Sequence, residues 1–198
     1  MSRRRPEPPA DRSGEAADPE SVVRSILLRK LSAAPRTRSE LEKDLARRGA
    51  DPAVAATVLD RFEDVGLIDD ESFAAMWVES RHRSKALARS VLRQELRQRG
   101  VDAETIDSAV GQIDDDDEWM RARDFARRKV RVKPGEDPRK ALQRLAGQLA
   151  RKGYPGNVCF AVAREALGVA LEQWDENRID EPGAGIFVDD LAVDQESV

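Results

Sequence analysis

Between residues 81 and 99 the chain carries seven cations, Arg81, Arg83, Lys85, Arg89, Arg93, Arg97 and Arg99, with Glu95 as the lone acid among them. On a continuous helix, positions 81, 85, 89, 93 and 97 would share one face at i, i+4 spacing, although a break near Ser84 would shift the phase. Such a row suits phosphates or an acidic protein groove, since guanidinium groups donate in pairs to either. A second stretch, Arg127, Arg128, Lys129, Arg131 and Lys133, leads into a Pro-Gly loop at 134–135. These twelve side chains are the candidate DNA-binding or partner-binding set. Arg-rich composition produces solvated rows on its own, but the scarcity of nearby acids favours a binding role. Binding through them would weaken with salt, with a slope in log K of about 0.9 per duplex phosphate contacted and somewhat less on single strands.

The other chemically capable residues do not assemble into a reaction centre. His82 is the only histidine and has no serine or cysteine motif to mark a nucleophile beside it, so a surface position is expected. Cys159 is the only cysteine, which excludes an internal disulfide and any multi-cysteine zinc site. It falls between Val158 and Phe160 in an apolar helical pattern, where a free thiol behaves as a small buried hydrophobe. Asp114 to Asp117 with Glu118 are consecutive, so their carboxylates do not converge on a cation, and a solvated helix start is expected. No Walker loop, dinucleotide fingerprint or HExxH occurs. No catalytic residue, cofactor or metal is assigned.

The signs of charge are separated along the chain, which the net charge of −4 conceals. Residues 101–118 hold eight acids and no Lys or Arg, residues 121–152 twelve bases against three acids, and residues 172–198 nine acids against Arg178. Apolar stretches are only a few residues long, far below the roughly 20 needed to cross a bilayer. The arginines at the N-terminus are not followed by an apolar stretch, so no secretory signal is read there and the cytoplasm is the expected compartment.

These side chains need a helical scaffold. Aromatics are 5% and charged residues 36% of the chain, a balance that favours helices with solvated faces over sheets. Residues 1–17, rich in Pro, Arg and Glu, are expected to form a disordered tail. Asp18-Pro19 reads as an N-cap followed by proline at the first helical position, with Val22, Val23, Ile26, Leu27 and Leu31 as an apolar stripe. Thr37-Arg38-Ser39-Glu40 reads as a capping box, Gly49 as a left-handed stop, and Asp51-Pro52 as the next start. The arrangement recurs: Leu41, Leu45 and Gly49 match Leu92, Leu96 and Gly100, then Leu145, Leu149 and Gly153, with glycine spacings of 51 and 53 residues. In the second unit Asp69 or Asp70 caps a helix that turns Phe73, Met76 and Trp77 inward; Trp119, Ala122 and Phe125 take that role in the third. The expected fold is all-α: three tandem three-helix repeats of helix-turn-helix type, elongated and curved, over 18–66, 67–113 and 114–170. An acidic C-terminal tail, 171–198, follows, although the last helix could run on to Trp174.

The segment GLIDDESFAAMWVESR, from Gly66 to Arg81, and the basic run ending in LRQELRQRGV at Val101 resemble the RecX family of regulatory proteins. Gly66, Leu67, Ile68, Asp69 and Asp70 match the family's turn; Phe73, Trp77 and Arg81 its following helix; Leu92, Leu96 and Gly100 the next. The likeness covers about residues 20–168 and is loosest in the third unit, where Tyr154-Pro155-Gly156 replaces a simple helix cap. It implies a non-catalytic protein that binds the RecA filament, with single-stranded DNA as a further partner; a monomer is expected. Binding in the filament groove would restrain ATP hydrolysis, strand exchange and coprotease activity, and so modulate homologous recombination, DNA repair and the SOS response. The alternative is a helix-turn-helix DNA-binding module that acts without RecA.

Overall fold

The computed structural model describes residues 18–133 and 135–176, so the expected N-terminal tail and all but the first six residues of the expected C-terminal tail lie outside the described residues. The described residues form nine α-helices and no strand. They are α1 (Pro19–Ala33), α2 (Arg38–Arg47), α3 (Pro52–Asp64), α4 (Asp70–Lys85), α5 (Arg89–Arg99), α6 (Ala103–Gly111), α7 (Asp115–Lys129), α8 (Pro138–Arg151) and α9 (Gly156–Glu176). The last helix thus passes residue 170 and takes in the start of the segment expected as tail. No helix among the described residues is long and apolar enough to cross a membrane.

The starts follow local chemistry. Asp18, Asp51, Asp69 and Asp102 each accept an amide of the first turn of α1, α3, α4 and α6. Thr37 accepts the Glu40 amide at 3.2 Å, but the capping box is not reciprocal, because the Glu40 carboxylate pairs with Arg99 instead of returning to its own helix start. Gly49, Gly100 and Gly153 all adopt positive φ, as the repeat predicted.

Packing gathers the helices into two compact units. The first comprises residues up to Arg121 together with Lys152–Tyr154; the second comprises Ala122–Arg151 and residues from Pro155 onward. The first holds two cores. Val23 and Leu27 of α1, Leu41 and Leu45 of α2, and Ala55, Val58, Leu59 and Phe62 of α3 close one, with Ile68. Phe73, Ala74 and Val78 of α4, Leu92 and Leu96 of α5, and Ile106, Ala109 and Val110 of α6 close the other. Each fully buried leucine contributes roughly 1.5–3 kcal/mol through its removal from water. In the second unit α8 and α9 pack together, with Leu145, Leu149, Cys159, Val162 and Ala163 buried. Two residues expected inward are not: Val22 is 42% exposed and Met76 53% exposed, because each sits one position off its helix's buried stripe.

A joint recurs within the first unit at the starts of α2 and α5. Thr37, fully buried, donates its hydroxyl to the Arg99 carbonyl at 2.7 Å, and the Arg38 amide donates to Asp70 at 2.9 Å. At α5, the Ala88 amide donates to the Lys152 carbonyl at 2.9 Å, the Ser90 hydroxyl to the Gly153 carbonyl at 2.7 Å, and the Arg89 amide to Glu118 at 2.9 Å. A Cβ on Gly100 would run into Ser39, and one on Gly153 would meet Ser90 Oγ at 2.5 Å. Two helix starts, each marked Arg-Ser, therefore seat against a glycine-terminated carbonyl end.

Candidate partner interface

The cations between 81 and 99 do not form one row. α4 ends at Lys85, the chain turns at Ala86 with φ 50°, and α5 begins at Arg89, so the expected 81–85–89–93–97 face is broken into two. The turn is held on three sides. Tyr154 donates its hydroxyl to the Ala86 carbonyl at 3.1 Å, Ala88 reaches Lys152, and His82 Nδ1 lies 2.9 Å from the Leu87 carbonyl. His82 is therefore a buried residue, 8% exposed, and not the surface residue expected. Since a carbonyl only accepts, Nδ1 carries a proton, and the buried Nε2 has no hydrogen-bond partner.

Three of the predicted cations serve the fold. Arg89 places Nε 2.9 Å from Glu118 and also pairs with Asp115; the hydrogen bond to Glu118, first among its partners, raises its pKa further. Glu118, only 6% exposed, departs from the solvated helix start expected for 114–118, whereas Asp115, Asp116 and Asp117 conform to it. Arg99 pairs with Glu40 and stacks its guanidinium 3.7 Å from the Trp77 ring centre and 5.6 Å from that of Phe73. Arg81 lies 4.1 Å from the same Trp77 ring, whose Nε1 donates to Glu95 at 2.8 Å. The Arg99 contacts join α5 to α4, whereas that of Arg81 lies along α4 itself. Phe73 is buried as expected, while Trp77 is only half-buried beneath the two arginines.

The remaining cations are more available. Arg83 pairs with Glu79 at 2.6 Å and Arg93 with Asp107 at 3.2 Å, both on exposed surface where such pairs contribute little. Lys85 and Arg97 are exposed and make no ion pair among the described residues. In the second unit Arg127 lies 3.7 Å from Glu165, and the Arg131 guanidinium donates to the adjacent Val130 carbonyl at 2.6 Å. Arg128, Lys129 and Lys133 are exposed, again without an ion pair among the described residues.

The local sequence held a signal for the structural arginines: Arg38-Ser39 and Arg89-Ser90 recur 51 positions apart. Arg38 pairs with Asp60 at 2.5 Å and with Glu63, as Arg89 does with Asp115 and Glu118. Among the described residues nothing converges as a reaction centre. Burial pushes the Cys159 thiol up, away from the thiolate that nucleophilic chemistry needs. Among the described residues no three His, Cys, Asp or Glu side chains are placed to hold a metal.

The chain matches three successive domain models of one family: RecX, first three-helix domain, over residues 24–62; second three-helix domain, over 69–110; and third three-helix domain, over 115–162. It is 48% identical over 158 residues to the regulatory protein RecX of Streptomyces coelicolor, covering 80% of this chain and 84% of that protein. It is 43% identical over 157 residues to the regulatory protein RecX of Thermobifida fusca, covering 78% and 85%. A crystal structure of regulatory protein RecX superposes with a TM-score of 0.67 at 26% identity, over 74% of this chain and 73% of that one. RecX from Lactobacillus salivarius shares the fold, with a TM-score of 0.68 at 20% identity over 76% and 97%. Three helical domains in the family's order, over most of the chain, place this protein in the RecX family of regulatory proteins.

Proposed function

We propose that this protein binds the RecA recombinase assembled on DNA and restrains it, lowering ATP hydrolysis, strand exchange and coprotease activity without chemistry of its own. Recombination, DNA repair and the SOS response are the processes so modulated, in the cytoplasm, with the protein acting as a monomer. The observation that carries this reading is the division of the cations on a RecX-family scaffold. Arg81, Arg89 and Arg99 are consumed by the fold, whereas Lys85, Arg97, Arg128, Lys129 and Lys133 stand exposed without an ion pair among the described residues. The chemistry available to them is electrostatic: ammonium and guanidinium groups meeting phosphates of the DNA or carboxylates of the recombinase. Arg83, Arg93, Arg127 and Arg131 join them on contact, since their exposed partners are readily exchanged.

The test is RecA ATPase on single-stranded DNA with this protein titrated below stoichiometry, beside a measurement of its binding to the same DNA alone. Inhibition at ratios too low to coat the DNA supports the reading. Absence of inhibition together with tight binding to bare DNA overturns it and favours the helix-turn-helix module.

A further inference from the structure

The second unit concentrates unbalanced positive charge at one place. Residues 130–137 connect α7 to α8. The last turn of α7 carries Arg127, Arg128 and Lys129, where cations complement the helix C-terminus. The first turn of α8 carries Arg139 and Lys140 and no acid, at the helix end where cations are disfavoured. Both carboxylates of the connection are engaged locally. Glu136 pairs with Arg144 and accepts the Lys133 amide at 3.1 Å, and Asp137 accepts the Arg139 amide at 2.8 Å. On α9, Glu165 is taken by Arg123 and Arg127. Arg128, Lys129, Arg131, Arg139 and Lys140 are thus exposed with no ion pair among the described residues, while the exposed Lys133 shares Glu136 with Arg144 through its charge.

The chain itself carries the complementary charge. α8 and α9 pack together across a four-residue connection, 152–155, and α9 runs on to Glu176. Beyond Glu176 come residues 177–198, with Asp180, Glu181, Asp189, Asp190, Asp194 and Glu196 against Arg178. Those 22 residues span at most about 70 Å extended, so distance is no obstacle.

We propose that residues 177–198 lie against the α7–α8 connection of their own chain, setting their carboxylates on its exposed cations. They thereby compete with an outside polyanion for that surface; only this competition rests on the function proposed above. Tethering gives the acidic segment an effective concentration on the order of millimolar. A weak or nonspecific polyanion is therefore excluded, while a multivalent assembly displaces the segment.

Zero-length carboxyl-to-amine crosslinking of the full chain at low salt, using mixed light and heavy isotope-labelled protein, tests the contact directly. Links within one chain from residues 180–196 to Lys129, Lys133 or Lys140 are expected, fading at 1 M salt, where screening acts within about 3 Å. The Lys30–Asp44 pair, 2.6 Å apart, supplies the link that shows the reagent working. If that control forms while tail links are absent, or join only different chains, the contact is refuted. In a second arm, the full chain with Asp180→Asn, Glu181→Gln, Asp189→Asn, Asp190→Asn, Asp194→Asn and Glu196→Gln should bind single-stranded DNA at least about threefold more tightly at low salt. The two forms should converge at high salt. Tail links with unchanged affinity would overturn the competition. If neither form binds DNA or RecA, the proposed function fails, and the crosslinks alone still decide the contact.

Discussion

At the scale of single residues, chemically alike side chains do different work. Gly49 and Gly100 both sit at positive φ, yet a Cβ on Gly49 meets open space and one on Gly100 meets Ser39. Gly49→Ala should therefore cost about 1 kcal/mol, the left-handed penalty alone. Gly100→Ala should cost at least twice that, since overpacking adds about 1–3 kcal/mol; chemical denaturation of the two variants checks the ratio. The arginines divide similarly. Arg99→Ala removes the stack on Trp77 and the partner of Glu40, and should destabilise by about 1–2 kcal/mol. Arg97→Ala, on exposed surface, should stay within about 0.5 kcal/mol in the same denaturation assay while weakening binding.

Helices in this protein depend on one another for their ends. α5 has alanine at its N-cap and no side-chain cap of its own, and Glu118 of α7 supplies the acceptor for the Arg89 amide as well as a partner for its guanidinium. Glu118→Ala should accordingly lower stability by about 2 kcal/mol, read from the denaturation midpoint. α4 is capped locally: the Ser72 hydroxyl and amide on the Asp69 carboxylate, the hydroxyl foremost, hold its pKa below the usual value. A carboxylate depressed in the folded state stabilises fully above its unfolded pKa near 3.9, and that contribution is lost as pH falls through the folded value. Asp69→Asn keeps a cap acceptor without the charge, so wild type should be the more stable at neutral pH and the difference should close on acidification below about pH 4. A pH series of unfolding midpoints for both proteins reads this.

For the molecule as a whole, the proposed function makes the exposed cations without ion pairs the source of the binding signature. Replacing Lys85, Arg97, Arg128, Lys129 or Lys133 singly by alanine should lower the slope of log K against log salt on single-stranded DNA by about 0.7 for each phosphate no longer neutralised. Melting temperatures should stay nearly unchanged, whereas Arg89→Ala should lose stability first. Titration of binding at several salt concentrations, beside thermal unfolding, separates the two groups. The all-helical class and the recurrence of Leu, Leu and Gly were legible because they rest on local periodicity and on the left-handed conformation that glycine adopts at a helix end. The single basic face was not, because a left-handed alanine at 86 ends α4 where nothing in the local sequence demands it. Burial of His82 and Glu118 likewise depends on partners 5 and 29 residues away, Leu87 and Arg89.

By itself the sequence determined the capped helix starts and the glycine stops, which residues could be cationic, and that no catalytic centre is spelled out. Each of these follows from interactions within a turn or two of chain. Only the tertiary structure decided which arginines are structural, why Gly100 cannot be replaced as Gly49 can, and why Met76 and Val22 face outward. Those outcomes depend on what approaches from elsewhere in the fold: a helix start seated on a carbonyl end, an indole beneath two guanidinium groups, a glutamate capping another helix. A local pattern specifies the conformation of a segment, whereas the packing of distant segments specifies whether each side chain is buried, paired or free.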